Sequence, residues 1–315
     1  MRVLVTGAAG MLGSSLVPTL AGAGHDVHPT DLRRSGERLW GGEIRAVEAI
    51  DVRSREEVAA AFARVRPELV AHLAAETDLE VCEADPDLAY ATNSLGTKHV
   101  ALAARDAGIP IVYISTAGVF DGAKAEPYTE YDDANPINRY GQSKLVGERY
   151  VATFSSRFFI VRAGWMVGGG DRDHKFVAKI LQQLEAGARV IRAVDDRLGT
   201  PTYAPDFSRC LVALIATGSH GLYHMASTGR ASRYDVAQHI LRVLGRDDVK
   251  LEAVSSHYFR DTYPAPRPQS EMMRNLLLDL QGLNTMRPWQ VALEEYLRTA
   301  FADLRAATPR RSAVG

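Results

Sequence analysis

Val5-Thr6-Gly7-Ala8-Ala9-Gly10-Met11-Leu12-Gly13 lies where a first apolar run, Arg2–Thr6, gives way to a helical pattern over Met11–Ala23. Glycines in such a turn allow a tight reversal and let the backbone approach a ligand without a Cβ in the way. The helix that follows begins with N–H groups lacking intrahelical partners and with the positive end of its dipole. Strand, glycine turn and helix N-terminus together predict a cradle for the diphosphate of a dinucleotide, built from Gly7, Gly10, Met11, Leu12 and Gly13. The spacing is G-x-x-G-x-x-G, not G-x-G-x-x-G.

Outward from that turn, short apolar runs alternate with helical stretches, which argues for βαβ units and a parallel sheet. Strands are expected at Arg2–Thr6, Asp26–Thr30, Ile44–Val47, Leu69–Leu73, Ile111–Ser115 and Phe158–Arg162. Helices are expected at Met11–Ala23, Arg55–Val65, Pro86–Ala107 and Arg139–Phe154. The second half is less regular. Helices are read at Phe176–Ala186, Asp206–Ala216, Tyr234–Leu244, Ser270–Leu278 and Trp289–Phe301, with strands at Val190–Ala193 and Leu222–His224. The pattern predicts an α/β protein: a Rossmann-type doubly wound parallel sheet with a smaller C-terminal substrate-binding domain. Residues 1–165 would form the dinucleotide domain, with 204–226 returning to it. Residues 166–203 and 227–305 would form the substrate domain, and 306–315 a frayed tail.

Composition narrows the function classes. The 315 residues carry a formal net charge of -1, with 46% hydrophobic and 24% charged residues. That balance gives no broad attraction to nucleic acid or an anionic membrane. Two distant cysteines, Cys82 and Cys210, suggest neither a disulfide framework nor a zinc site, and no His/Asp/Glu cluster has ligand spacing, so no catalytic metal is expected. No stretch approaches the ~18 apolar residues of a membrane span. The chain enters a strand at once, so a cytoplasmic location without a signal peptide is expected.

Asp31 ends the second strand run, about 20 residues after the turn, where an acid bonds a ribose 2′-OH. That favours NADH, but Arg33 and Arg34 could neutralise a 2′-phosphate, so NADH and NADPH both remain open. Asp51 either caps the adenine or starts the helix at Arg55. Tyr140 and Lys144 sit four apart at the start of a helical pattern, on one face. An ammonium there, with an oxidised nicotinamide, should lower the phenol's pKa from ~10 and make it a usable proton donor. Thr116 closes the fifth strand at the carboxyl edge of the sheet, where its hydroxyl can polarise the same carbonyl oxygen.

These residues resemble the extended short-chain dehydrogenase/reductase superfamily and, within it, the dTDP-4-dehydrorhamnose reductase family. The resemblance runs from Arg2 to about Leu297. Its more specific pieces are Ser115-Thr116 with Val119-Phe120-Asp121-Gly122, then Pro136, Asn138, Tyr140-Gly141, Ser143-Lys144 and Gly147-Glu148. Others are Arg162-Ala163-Gly164-Trp165, Asp195-Asp196-Arg197 with Gly199 and Pro201-Thr202, Gly221-Leu222-Tyr223-His224, and Arg267-Pro268 with Ser270. The resemblance implies hydride delivery from NADPH or NADH to the C4 ketone of a nucleotide-activated 6-deoxyhexose. Thr116, Tyr140 and Lys144 would be the catalytic triad. Val52, Leu73, Ala74, Ala75 and Glu76 would border the cofactor, and Asn93 would steady the sheet edge beside it. Trp165 would face the sugar, and Arg267 would bind the substrate's phosphates. Many members of the superfamily pair into homodimers, although no segment here specifies an interface.

The chain also departs from the family. Ala117-Gly118 replaces the usual Asp-Tyr after the threonine, Glu76-Thr77-Asp78 replaces His-Thr-Ala, and Gly168-Gly169-Gly170 with His174-Lys175-Phe176 stands where Asn-Phe is usual. These positions line the substrate pocket in the family, so they bear on which sugar is bound. A nucleotide-sugar epimerase with the same triad, or a non-catalytic cofactor-binding regulatory subunit, are the alternatives. A dehydratase would add an acid pair beside the threonine, and Ala117-Gly118 offers none.

Overall fold

The structure, a computed structural model, describes residues 1–32 and 46–301. Among them the strands are β1 Arg2–Thr6, β2 Asp26–Asp31, β3 Glu48–Ala49, β4 Leu69–His72, β5 Ile111–Thr116, β6 Phe158–Ala163, β7 Trp165–Val167, β8 Val190–Val194, β9 Leu198–Gly199, β10 Pro201–Tyr203, β11 Gly221–Met225, β12 Ala231–Ser232 and β13 Lys250–Val254. The helices are α1 Gly13–Gly22, α2 Arg55–Val65, α3 Leu79–Ala84, α4 Pro86–Tyr90, α5 Thr97–Asp106, α6 Arg139–Phe154, α7 Phe176–Glu185, α8 Ala204–Thr217, α9 Arg233–Leu244, α10 Leu276–Leu280 and α11 Trp289–Ala300.

Seven strands form one parallel sheet in the order β11-β6-β5-β4-β1-β2-β3. The order of connection reverses between β1 and β4, which opens a crevice at the carboxyl edge where ligands of this architecture bind. Period-two alternation sends neighbouring residues of β1 to opposite faces. Val3 and Val5 pack with Leu16 and Leu20 of α1 and Phe207 and Leu211 of α8, while Leu4 packs with Val58 and Phe62 of α2 and Val100 of α5. Each fully buried aliphatic side chain contributes roughly 2 kcal/mol of hydrophobic stabilisation.

A second core joins α7, α9 and α11 to β8 and β10 through Ile180, Leu181, Ile191, Ile240, Leu244, Trp289 and Leu293. Arg287 ties the chain before α11 to α8, donating from Nε and Nη2 to the buried Asp206 carboxylate, each at 2.8 Å. The 277–286 segment lies against the first core, through Leu277, Leu278, Leu283 and Met286.

Several elements differ from the sequence reading. The third strand is two residues at Glu48–Ala49; the first half of the expected Ile44–Val47 run falls outside the described residues, as do Arg33, Arg34 and the 302–315 tail. The helix expected over Pro86–Ala107 is interrupted by a wide π turn at Ala91–Gly96, and α3 precedes it unforeseen. Ser270–Leu278 is helical only from Leu276. Ser270 instead bridges to Leu198, and Glu271 donates its N–H to Leu198 O at 2.8 Å. There, pairing with a neighbouring segment overrides the apolar periodicity that suggested a helix. The strands β7, β9, β10 and β12, of two or three residues, have no alternation long enough to read, and the five-residue β13 is not among the expected strands.

Helix α6 packs very closely on β5. A Cβ on Gly147 would overlap the Tyr113 hydroxyl and stand 2.8 Å from Asn93 O. A Cβ on Gly141 would collide with Gly118 O. By contrast, Gly22 has nothing within 4 Å. Ala at Gly147 is therefore expected to destabilise the fold by roughly 2 kcal/mol or more through overpacking. Ala at Gly22 should stabilise it by roughly 0.5 kcal/mol through the unfolded chain. Urea melts of the two variants should move in opposite directions; a stabilised Gly147→Ala protein would refute the close approach.

Candidate active site

Gly7 has φ +70°, and a Cβ there would lie 2.5 Å from Ala74 N. A Cβ on Gly13 would collide with Ala8 O, whereas Gly10 has only Gly7 O within 4 Å of its missing Cβ. Two glycines thus let the turn pack inward and the third keeps its outer surface open. No side chain caps the start of α1. The turn is braced from β2, where the Asp31 carboxylate accepts the Ala9 N–H at 3.0 Å and Thr30 O accepts the Ala8 N–H at 3.0 Å. A glycine turn feeding an uncapped helix N-terminus is the kind of backbone site at which phosphates bind. The 168–170 glycines, all at positive φ, bring Gly169 onto Met11 of this turn.

Other cofactor candidates occupy the same edge. Leu73 donates its N–H to Thr6 O at 3.0 Å, and Ala74 follows it against Gly7. Ala75 and Glu76 continue the segment, both half-buried. Asn93, fully buried in the π turn, accepts the Glu76 N–H at 2.8 Å. Its amide nitrogen donates to Glu76 O at 2.9 Å and to Ser143 Oγ at 3.0 Å, stapling this segment to α6. Val52 is buried against Gly96. Asp51 does not start α2: Ser54 does, accepting the Glu57 N–H, while Asp51 pairs with Arg53 at 2.6 Å.

Tyr140, early in α6, lies near enough to Thr116 at the end of β5 for the threonine hydroxyl to act on the phenol. Lys144 follows one turn later on α6, buried, with Nζ 4.1 Å from the Tyr113 ring centroid. A buried ion pair fixes α6 here. Arg162 on β6 donates from Nε and Nη2 to Glu148 at 2.9 and 2.8 Å, and Ser115 on β5 donates to the same carboxylate at 2.5 Å. Asn138 caps α6 at Gly141 N, 2.8 Å away, and Tyr113 donates to Lys144 O at 3.2 Å.

The expected lowering of the phenol's pKa is not what the protein alone produces. Burial pushes Tyr140 up to about 12, opposed by the Thr116 hydrogen bond and reinforced by Cys82, Glu271 and Glu76. Burial likewise pushes Lys144 down to about 7, with Glu148 pulling it back up. Desolvation outweighs what Thr116 and Glu148 return because both groups leave water on entering the packed seam between α6 and β5.

The two substrate candidates also differ from expectation. Arg267 is exposed and paired with Glu80 at 2.6 Å, and it further donates to Ala265 O at 2.9 Å and Tyr263 O at 3.2 Å. Its charge is thus already partly neutralised by Glu80 before any phosphate arrives. Trp165 offers no open ring face. A Cβ on Gly199 would press onto its fused ring bond, 2.7 Å from Cδ2, and the Arg233 guanidinium carbon lies 3.6 Å from a ring centroid. Two groups cannot share one face at those distances, so they sandwich the ring. Its indole N–H donates to Glu271 Oε2 at 2.8 Å. Glu271 and Arg233 are neighbours of Trp165 that the sequence reading missed.

Among the described residues no group of three His, Cys, Asp or Glu could hold a metal ion, and no helix is long and apolar enough to cross a membrane. Cys82 and Cys210 are free buried thiols. Burial drives His72 and His224 down to about 3, so both stay neutral packing residues at physiological pH. Tyr223 is packing too, buried in the first core.

The depressed Lys144 pKa makes a stability prediction. The unfolded chain holds its proton up to about 10.5, the folded chain only to about 7, so folding stability rises with pH across that window. Below it, charging the buried amine opposes folding in full, and Lys144→Met removes that cost. The variant is expected to raise the unfolding free energy of the ligand-free protein at pH 6 by roughly 3 kcal/mol, read from urea melts. The gain should shrink as pH climbs toward 10. A gain independent of pH would show that burial of charge is not its cause.

Comparison with known proteins agrees with this architecture. Residues 1–301 match the family model for the RmlD substrate binding domain. A dTDP-4-dehydrorhamnose reductase of Streptomyces griseus is 35% identical over 300 residues, covering 93% of this chain and 92% of that protein. The crystal structure of a dTDP-4-dehydrorhamnose reductase from Clostridium acetobutylicum superposes with a TM-score of 0.85 at 34% identity, covering 95% of this chain and 99% of that one. One from Bacillus anthracis, in complex with NADP, superposes with a TM-score of 0.83 at 32% identity, covering 94% and 98%. The chain therefore belongs to the RmlD substrate-binding-domain family, within the extended short-chain dehydrogenase/reductase superfamily.

Proposed function

We propose that this protein is an NAD(P)H-dependent reductase of a nucleotide-activated 4-keto-6-deoxyhexose, similar to the dTDP-4-dehydrorhamnose reductases. One observation carries the reading: a threonine hydroxyl and a tyrosine phenol meet at the carboxyl edge of the sheet, one helical turn from a buried lysine. At the end of β1, two strands away in the same sheet, lies a glycine turn leading into α1 of the kind that can hold a diphosphate. The NADP in the Bacillus anthracis relative and the names of the reductase relatives support the same cofactor and substrate class.

The backbone of Gly7, Gly10, Met11, Leu12 and Gly13 would hold the pyrophosphate, with Asp31 toward the adenosine ribose. Leu73, Ala74 and Ala75 would border the cofactor, and Asn93 would keep that segment in place. When bound, the reduced nicotinamide supplies the hydride to the ketone carbon. Thr116 donates a hydrogen bond to the ketone oxygen as negative charge develops there, and Tyr140, protonated at neutral pH, gives that oxygen its proton. Lys144 then stabilises the phenolate left behind, a role its burial strengthens because no water competes for the charge. The Arg162–Glu148 pair keeps helix and strand in register throughout.

The test is a panel of dTDP-, UDP- and GDP-linked 4-keto sugars offered with NADH and NADPH, following the loss of reduced-cofactor absorbance. A reductase consumes one cofactor per product; an epimerase interconverts sugars with no net oxidation, and a regulatory subunit turns over none of them. Tyr140→Phe is expected to lower kcat by at least ~10²-fold while cofactor affinity stays within about twofold. Undiminished turnover in that variant would take the proton transfer away from Tyr140.

A further inference from the structure

We propose that Glu271 is a specificity residue of the sugar pocket, one carboxylate oxygen receiving the hydroxyl on the carbon next to the ketone. The inference rests on the reductase reading and extends it to a residue outside the triad.

Glu271 is held from three sides. Its N–H bonds Leu198 O at 2.8 Å, and Leu198 in turn donates to Gln269 O at 2.9 Å. On the other side Gly122 approaches so closely that a Cβ there would stand 2.5 Å from Gln269 N. The carboxylate is then aimed by Trp165, whose indole N–H bonds Oε2 and whose ring is clamped between Gly199 and Arg233. Trp165 is thus a positioning residue for the acid.

The second oxygen, Oε1, takes no hydrogen bond from the described residues. It lies 3.6 Å from the point where a Cβ on Gly118 would sit, and Thr116 Oγ1 lies 3.4 Å from that same point. Tyr140, beside Thr116, feels the Glu271 charge as well. Glycine at 118 keeps this space clear, since any side chain there would come between the threonine and the glutamate.

The chemistry of the space selects its occupant. Thr116 and Tyr140 present donors, which suits a ketone oxygen, whereas an ionised carboxylate only accepts. The group beside the ketone must therefore bring a donor. Burial raises the Glu271 pKa, and Trp165, Arg233 and Arg267 oppose that rise; with two cations already acting on the acid, a substrate ammonium is disfavoured and a neutral hydroxyl is left. A half-buried carboxylate that a bound sugar covers discriminates against an analogue lacking the hydroxyl, because covering it without that donor leaves the acid desolvated and unpaired. The acid absent from Ala117-Gly118 is thereby supplied by a segment about 150 residues further along the chain.

The experiment compares two nucleotide-linked 4-keto sugars that differ only in the C3 hydroxyl, with NADPH, in the wild type, Glu271→Gln and Glu271→Ala. The wild type is expected to prefer the hydroxyl sugar by on the order of 10²-fold in kcat/KM. Both variants should lose at least tenfold of that preference, chiefly through KM for the hydroxyl sugar, and leave the 3-deoxy sugar and cofactor affinity nearly unchanged. Glu271→Gln can still accept from Trp165, so it keeps the pocket folded while replacing the free acceptor. Equal losses on both sugars, or a wild type with no preference, would overturn the glutamate's role alone. A wild type that reduces neither sugar, nor any of the panel above, would sink the reductase reading and this one with it.

Discussion

The close approach of α6 to β5 governs the whole site. Gly141 lies on the backbone of Gly118 and Gly147 on the Tyr113 hydroxyl, with no room for a methyl group at either contact. Only at that spacing can a tyrosine early in the helix reach a threonine at the strand end. The contact is sealed by the buried Arg162–Glu148 pair, which also engages Ser115. Removing one partner of such a pair leaves a buried charge uncompensated, a loss typically of about 3–5 kcal/mol. The ion pair therefore acts as a register pin between helix and sheet.

The same tight packing sets the electrostatics. Tyr140 and Lys144 are both driven toward their neutral forms because burial costs each more than their neighbours return. A lysine near neutrality and a protonated phenol fit a site that donates a proton to substrate oxygen. The charge-stabilising role of the lysine then matters most after the proton has left. The π turn at Ala91–Gly96 contributes by presenting Asn93 to both Glu76 and Ser143, so the cofactor-side segment and the catalytic helix share one anchor. Wide turns of this kind are uncommon and concentrate at functional sites.

On the opposite wall, the smaller core delivers a pocket side chain by indirect means. Segment 269–271 is extended because Leu198 and Gly122 grip it from two sides, and the indole of Trp165 orients the carboxylate that results. Substitutions in this wall would alter what is recognised without touching the proton-transfer groups.

The parallel sheet, the glycine turn and the catalytic helix were legible in the chain because each is written in local signals. These are alternating apolar runs, glycines at a strand-to-helix junction, and a Tyr and Lys one turn apart. Other features exist only once the chain has folded. The break in the Pro86–Ala107 helix, the pairing of Arg267 with Glu80 and the enclosure of Trp165 between Gly199 and Arg233 all involve partners distant in the chain. Glu271 shows the reason most plainly. Its neighbours Gly118, Trp165, Leu198 and Arg233 are scattered over more than 100 residues, and no periodicity or spacing records a contact that packing alone creates.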